Sequence, residues 1–256
     1  MTDRTGGDGA RTAAGPLTSN DAIPSWLRSL TDNVDGVTDS VNNRGGDRTK
    51  LLALTRKRSA RPASVLVLFG GSFDTAEDGT PPVDADVLLT QRANTLRNHP
   101  GQVAFPGGAV DPGDDYPVGT ALREAQEETG LAPDSVVPVA QLRSFPVPPS
   151  GFDVVPVIAH WPTPGPVRAV DQGETARVAR VPLRDLLSPD NRFQVQRSVM
   201  GGRVYRGPAF WVEDMLVWGF TGGLLAAIFE TAGWDIPWDT DDVRDLGDML
   251  DRAGQR

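Results

Sequence analysis

Residues 108–131 read GAVDPGDDYPVGTALREAQEETGL, and this pattern predicts a turn that leads into an acidic helix. Asp114 or Asp115 can cap a helix that begins near Pro117, and Gly130 can end it. Small and apolar residues recur at helical spacing and give the helix one face that can pack on a sheet. These residues are Val118, Ala121, Leu122, Ala125 and Thr129.

The opposite face of the predicted helix carries Glu124, Glu127 and Glu128, at positions i, i+3 and i+4. Carboxylates at this spacing repel one another, by about 0.2–0.5 kcal/mol per pair in an isolated helix, and Arg123 can offset part of that repulsion. Carboxylates that converge within one turn can hold hard divalent cations, which prefer oxygen ligands. A solvated acidic surface is the alternative, and the helix alone does not exclude it.

A glycine pair precedes the helix. Gly107 and Gly108 follow Phe105 and Pro106, and such a turn lets the backbone approach a phosphate, or a metal ion through a carbonyl oxygen. We expect Phe105 to pack beneath this turn. The glycine turn and the acidic face of the helix together favour a metal and phosphate site over a plain solvated surface.

The segment 108–131 resembles the Nudix box: a glycine, an acid six residues later, and then Arg-Glu-x-x-Glu-Glu-x-Gly-apolar. It departs from the common pattern in two ways. The first acid is the aspartate Asp114, and one extra residue separates it from Arg123, so Asp115 could take the same place. The resemblance implies an α/β protein with the Nudix fold, a mixed β-sheet sandwiched between α-helices (α/β/α), and a metal-dependent hydrolase of diphosphate linkages.

Residues 88–108, LLTQRANTLRNHPGQVAFPGG, are similar to the signature of the coenzyme A diphosphatase branch of that family. The extra residue in the box is typical of the same branch, and residues 149–152 and 218–221 agree more loosely. This resemblance implies hydrolysis of coenzyme A or acyl-CoA to adenosine 3′,5′-bisphosphate and (acyl-)4′-phosphopantetheine. The alternatives are a Nudix enzyme acting on an NDP-sugar, a dinucleotide or an oxidised nucleoside triphosphate, and a catalytically silent nucleotide-binding regulator.

The family resemblance also implies roles for single residues. Glu124, Glu127 and Glu128 would hold Mg²⁺ or Mn²⁺ with help from the Gly107 carbonyl, and one carboxylate would accept the proton of the attacking water. Glu174 is similar in placement to an acid that many Nudix enzymes use as a further ligand or base; a surface glutamate is an equal alternative.

Arginines upstream of the glycine turn are candidates for substrate binding together with Gly107 and Gly108. Arg92 and Arg97 could contact the diphosphate or the 3′-phosphate of coenzyme A, because guanidinium groups pair well with phosphate. Ion pairs that only hold the loop together are the alternative for each arginine. His99 is more naturally explained by a hydrogen bond within its loop than by catalysis.

The composition limits the class of protein. A chain of 256 residues with 39% hydrophobic residues can build a real core, and no apolar run approaches the roughly 20 residues that cross a bilayer. The net charge of −9 argues against a nucleic-acid partner, and the absence of cysteine excludes disulfides and thiolate chemistry. We expect a cytoplasmic protein with a small-molecule partner and no membrane partner; a homodimer is compatible with the sequence.

The chain divides into three predicted parts. Residues 1–45 are polar and predict a flexible arm, residues 46–232 the Nudix hydrolase domain, and residues 233–256 an acidic C-terminal helical tail. Within the domain we expect strands, a strand that leads into a short helix, and a buried late helix. The strands are expected at 64–69, 86–92 and 154–159, the strand and short helix at 176–187, the late helix at 211–230, and a surface helix at 239–252 in the tail.

Overall fold

A computed structural model describes residues 13–44, 60–73, 79–96, 98–147, 150–199 and 203–255 of the chain. Its larger sheet is built around two long strands, β2 (Arg61–Gly70) and β8 (Phe152–Trp161), which run parallel to each other along their whole length. The strand predicted at 86–92 is present as β3 (Asp86–Arg92) and pairs antiparallel with β2. Parallel and antiparallel pairs together make this the predicted mixed sheet.

The remaining strands of this sheet are short, except the one at Thr175–Pro182. They are β1 (Gly15–Pro16), β4 (Val103–Ala104), β5 (Gly107–Ala109), β6 (Val137–Gln141), β7 (Phe145–Val147) and β9 (Thr175–Pro182). The strand order along the main path of the sheet is β1-β6-β8-β2-β3-β4, with β5 paired to β2, β7 to β8 and β9 to β3.

The sequence pattern did not predict a second sheet, which consists of β10 (Arg192–Val199), β11 (Arg203–Val212), β12 (Met215–Val217) and β13 (Val243–Asp245). Its strand order is β12-β11-β10-β13. The predicted late helix is therefore wrong over residues 211–217. Phe210, Trp211 and Val212 are aromatic or β-branched and pair readily in a sheet.

The helices of the described residues cover both faces of the larger sheet, except the last, which packs on the second sheet. They are α1 (Ser25–Asp32), α2 (Val34–Arg44), α3 (Val118–Thr129), α4 (Leu183–Leu187), α5 (Gly219–Ala232) and α6 (Leu246–Ala253). Alternate residues of β2 point to opposite faces. Leu66 and Leu68 pack in the cluster that contains α3, whereas Val67 and Phe69 pack in the cluster that contains α1 and α5. This confirms the predicted α/β/α arrangement.

The N-terminal region differs from the predicted flexible arm over the part that is described, residues 13–44. Ile23, Trp26, Leu27 and Leu30 are fully buried and pack in the same cluster as α5. A small group of apolar residues in a polar segment cannot fold alone, but these four residues complete a surface that α5 would otherwise expose. The predicted arm was therefore wrong for these residues, and residues 1–12 lie outside the described part.

The region after α5 also differs in detail from its prediction. The expected surface helix at 239–252 begins only at Leu246, since β13 occupies the residues before it. Leu246 and Met249 are buried, and the Asp245 carboxylate caps the helix by accepting from the Gly247 and Asp248 amides. Among the helices that the structure describes, none is long and apolar enough to cross a bilayer.

Candidate active site

The acidic helix α3 lies on the larger sheet through the face that its spacing predicts. Ala121, Ala125 and Thr129 are fully buried, and the helix ends at Gly130, whose left-handed φ of 70° suits glycine. The predicted side-chain cap is wrong, however. Pro117 precedes the first helical residue and no side chain caps it. Asp114 cannot act as the cap because its carboxylate is bound elsewhere.

Asp114 is bound by Arg123. Arg123 Nε and Nη2 each donate to one Asp114 oxygen at 3.0 Å, and Nη2 also donates to the Ala109 carbonyl at 3.0 Å. Thr120 Oγ1 and the Asp111 amide donate to the same carboxylate at 2.9 and 3.0 Å. The bonds from Arg123 are the main reason that the pKa of Asp114 lies far below its usual range. Asp114, and not Asp115, therefore ties the loop to the helix.

Glu124 and Glu128 converge on the glycine turn. The Gly107 amide donates to Glu128 Oε2 at 3.3 Å. The Glu124 carboxylate lies so close to Gly108 that a Cβ atom there would be 2.5 Å from it, and a Cβ at Gly107 would be 2.3 Å from the Ser64 carbonyl oxygen. Gly107 is therefore restricted to glycine by the backbone of its neighbours and by its positive φ of 158°, whereas a side chain at Gly108 would displace the Glu124 carboxylate. The glycine turn thus packs closely against these two carboxylates. We call the carboxylates of Glu124 and Glu128 the carboxylate pair.

Burial perturbs both members of the carboxylate pair. It raises the pKa of Glu128 to about 8, and the charges of Glu124 and Glu174 add to the rise, while the Gly107 amide and Arg92 oppose it. Burial also raises the pKa of Glu124, against the opposing charge of Arg123. Two partly desolvated carboxylates that repel each other would be stabilised by a cation between them. Oxygen donors of this kind fit a hard divalent ion.

Glu127 does not join the carboxylate pair. Its side chain is 60% exposed, and it accepts a hydrogen bond from Arg123 Nη1 at 3.1 Å. Within the described ranges, no group of three or more acidic or imidazole side chains already has the arrangement of a metal site. The structure thus brings together two of the three glutamates that the sequence pattern singles out, and the third is held by an ion pair.

Arg92 and Glu174 lie beside the carboxylate pair. The positive charge of Arg92 lowers the pKa of Glu128 and the negative charge of Glu174 raises it, so both act on the same carboxylate. Arg92 ends β3 and is paired across the sheet with Thr175, which follows Glu174. The Glu174 side chain is exposed to solvent. Both predicted residues are thus placed next to Glu128.

The other predicted residues of this region are only partly described. Arg97 lies outside the described residues. The His99 carbonyl accepts from the Gln102 amide at 3.3 Å within the loop, and His99 has a left-handed φ of 55°. Phe105 is buried in the core cluster, in agreement with its expected packing role. Buried His160, with Nε2 3.0 Å from the Gly71 carbonyl oxygen, packs against α1 through Trp26.

Residues 218–221, which match the coenzyme A diphosphatase signature more loosely, pack on the signature segment 88–108. Thr221 Oγ1 donates to the Val103 carbonyl at 3.2 Å, and the Phe220 ring contacts Phe145 with centroids 6.0 Å apart.

The role of Arg123 as the centre of an ion-pair network was not predicted beyond its contact with the glutamates. The signal that could have identified it is the box itself, in which Arg123 follows the acid Asp114 at a nearly fixed distance.

Comparison with known proteins adds three findings. The family model of the NUDIX domain matches residues 75–200. An uncharacterized Nudix hydrolase, NudL, from Cronobacter sakazakii is 40% identical over 143 residues, which cover 54% of this chain and 71% of that protein. NudL from Yersinia pestis is 39% identical over 145 residues, which cover 54% and 68%.

Solved structures also resemble the chain, at lower identity. The NUDIX domain of Shewanella oneidensis NrtR, solved in complex with ADP ribose, is 20% identical, with a TM-score of 0.37. The match covers 54% of this chain and 86% of that chain. A MutT/nudix family protein from Enterococcus faecalis is 14% identical with a TM-score of 0.40, covering 77% and 72%.

Proposed function

The chain belongs to the Nudix hydrolase family, and from this premise we propose that it hydrolyses the diphosphate linkage of coenzyme A or acyl-CoA. The products would be adenosine 3′,5′-bisphosphate and (acyl-)4′-phosphopantetheine. The observation that carries the proposal is the segment 88–108, which is similar throughout to the coenzyme A diphosphatase signature. Two residues of this segment adjoin Glu128, Arg92 through its charge and Gly107 through its amide.

We assign a divalent cation, Mg²⁺ or Mn²⁺, to the carboxylate pair. Nudix hydrolases generally use divalent metal ions, and the desolvated Glu124 and Glu128 supply the oxygen ligands that such ions prefer. Glu127 would complete the ligand set by leaving Arg123, and the Gly107 carbonyl would add a neutral ligand. When bound, the ion neutralises the diphosphate and acidifies the attacking water.

The protein groups around the ion bind the substrate and accept the proton. Gly107 and Gly108 let the diphosphate approach the backbone, and Arg92 and Arg97 pair with phosphate oxygens. Glu174 is exposed beside Glu128, so it can accept the proton of the attacking water or act as a further ligand.

A substrate panel tests the proposal. Purified protein with Mg²⁺ or Mn²⁺ is incubated with coenzyme A, dephospho-coenzyme A, ADP-ribose, NADH and an NDP-sugar, and the products are identified by mass spectrometry. We expect the highest kcat/KM on coenzyme A or an acyl-CoA, with adenosine 3′,5′-bisphosphate as product. A protein that is indifferent to the 3′-phosphate and faster on ADP-ribose or NADH would overturn the substrate assignment, but not the family.

Substitution of Arg92 tests the recognition of phosphate more directly. A charge-assisted contact to the 3′-phosphate contributes roughly 1.5–3 kcal/mol, so Arg92→Ala should lower kcat/KM by about ten- to a hundredfold more on coenzyme A than on dephospho-coenzyme A. Arg177→Ala is the matched control, because Arg177 lies opposite Gln91 on β9 and its guanidinium pairs with Glu213. Equal losses on both substrates for Arg92→Ala would assign Arg92 to the diphosphate or to the loop.

A further inference from the structure

The residues that follow α6 contact the loop between β3 and β4. We call residues 93–96 and 98–102 the signature loop, since they lie in the segment that resembles the coenzyme A diphosphatase signature. Asn94 Nδ2 donates to the Gly254 carbonyl at 3.0 Å. Gln255 is only 3% exposed, although it lies beyond the last helix. The segment Gly254–Gln255 thus covers the loop from the side of the second sheet.

The contact between this segment and the loop leaves no room for a side chain at Gly101. Gly101 has a left-handed φ of 65°, and a Cβ atom added there would lie 2.5 Å from Asn94 Oδ1 and 2.8 Å from Gln255 Cα. The second distance involves backbone, which cannot move as a flexible side chain can. The loop and the segment therefore fit each other closely, and a shift of either one displaces the other.

Short hydrogen-bonded steps connect this contact to the site. Gln102 follows Gly101, and its carbonyl accepts the Arg92 amide at 3.0 Å. At the start of the loop, the Ala93 amide donates to the Glu174 carbonyl at 2.8 Å. The loop is therefore fixed at its two ends to Arg92 and Glu174, and the position of Gly101 influences both.

The segment is itself firmly anchored. Helix α6 packs into the second sheet through Leu246 and Met249, and Arg252 lies over the Trp211 ring at 4.5 Å. The Gln255 amide donates to the Leu250 carbonyl at 2.9 Å and closes the end of the helix. The side-chain oxygen and nitrogen of Gln255 are buried, and neither has a hydrogen-bond partner within the described ranges. Leaving a buried amide unpaired costs free energy, so the close packing of Gln255 on the loop is not explained by its own hydrogen bonding.

We propose that Gly254–Gln255 is a positioning element of the active site, which holds the signature loop so that Arg92 and Glu174 keep their places beside the carboxylate pair. The inference deepens the proposed function and rests on it, because it takes Arg92 to contact the substrate. It concerns any diphosphate that the wild type hydrolyses. It therefore does not depend on coenzyme A being that diphosphate.

Three variants test the positioning role: Asn94→Ala, Gly101→Ala and a chain that ends at Gly254. Each should raise KM at least about fivefold because Arg92 is displaced from the substrate, and each should also lower kcat because Glu174 is displaced with it. Gly233→Ala is the matched control for Gly101→Ala. Gly233 has a similar left-handed φ of 76°, but an added Cβ atom there meets nothing within 4 Å. The control should lose only the part of the melting temperature that comes from the left-handed φ, with KM unchanged.

Two further measurements separate positioning from stability alone. The effects of Gly101→Ala and of ending the chain at Gly254 should not be additive in KM, because both disrupt the same contact. Hydrogen exchange of peptides that cover residues 93–102, measured without metal or substrate, should be faster in the shortened chain than in the wild type and unchanged in Gly233→Ala.

The outcomes distinguish this inference from the proposed function. Kinetics are measured on whichever substrate of the panel the wild type hydrolyses fastest, so the coenzyme A assignment can fail while the positioning role stands. Lower melting temperatures with unchanged KM and unchanged loop exchange in the three variants would overturn the positioning role alone. A wild type that hydrolyses no diphosphate of the panel would overturn both.

Discussion

At the scale of single residues, the site depends on carboxylates that the fold holds against the backbone. We expect Glu124→Gln, Glu127→Gln and Glu128→Gln each to lower kcat by at least about 10²-fold, because each removes charge that binds the cation and stabilises the transition state. Gln126→Ala is the control, since Gln126 is exposed on the same helix. Activity within tenfold of wild type for both Glu127→Gln and Glu128→Gln, in variants with native circular dichroism, would contradict the metal-site assignment.

Glu128 should also make stability depend on pH. Its pKa is about 8 in the folded protein and near 4.5 when unfolded. The folded state thus keeps a proton that the unfolded chain releases, and the stability that Glu128 contributes is present below pH 4.5 and lost as the pH rises towards 8. Urea denaturation in the presence of a chelator measures the free energy of unfolding of both proteins. The value for Glu128→Gln should rise relative to that of the wild type as the pH increases from about 5 to about 8. Parallel curves for the two proteins over this range would show that Glu128 is not buried as described.

At the scale of elements, helix α1 is a structural part of the fold and not a dispensable arm. Trp26 packs on Phe69 and Trp234, and its Nε1 donates to the Ser72 carbonyl at 3.1 Å. Trp26→Ala should therefore lower the free energy of unfolding by roughly 3–5 kcal/mol, as for other large buried side chains. Leu17→Ala, which truncates a side chain that is 41% exposed, should cost much less. Equal, small losses for both in urea denaturation would restore the flexible-arm prediction.

The elements nearest the box are the ones that local sequence predicts best. The strand at 86–92 and the helix ending at Gly130 were both predicted, because alternation, helical spacing and a terminal glycine are local signals. The hairpin of β10 and β11 was missed because its stability comes from pairing across the sheet. The docking of α1 was missed for a related reason, because its apolar residues are buried by residues far along the chain. The hydrogen bond from Ser29 to Ala232 at the end of α5, for example, spans 203 positions.

Local sequence signals and long-range contacts differ in the same way within the site. The spacing of Glu124, Glu127 and Glu128 on one face could be read from the sequence, but the ion pair that turns Glu127 towards Arg123 could not. Nor could the contact of Gln255 with the signature loop, because no local pattern relates residue 255 to residue 101.

At the scale of the whole molecule, a bound cation should stabilise the fold. An ion that binds only the folded protein adds about 2.7 kcal/mol at a hundredfold excess over its Kd, which corresponds to a rise in Tm of roughly 5–10 °C for a chain of this size. Thermal melts with Mg²⁺ or Mn²⁺ against chelator measure the effect. The double variant Glu124→Gln/Glu128→Gln should not respond. A wild-type Tm that is independent of the ion would contradict binding at the carboxylate pair.

The parallel pairing of β2 with β8 has a consequence for synthesis of the chain. Ser64 Oγ donates to the Val155 carbonyl, and these two residues are 91 positions apart. At about 5–20 residues per second, a ribosome needs roughly 5–18 s to add the residues between them. During that interval the valine- and leucine-rich edge of β2 has no β8 to pair with, and such an edge can associate with other chains. Newly made chains should therefore be most prone to aggregate, and most dependent on chaperones, before residue 161 has left the ribosome.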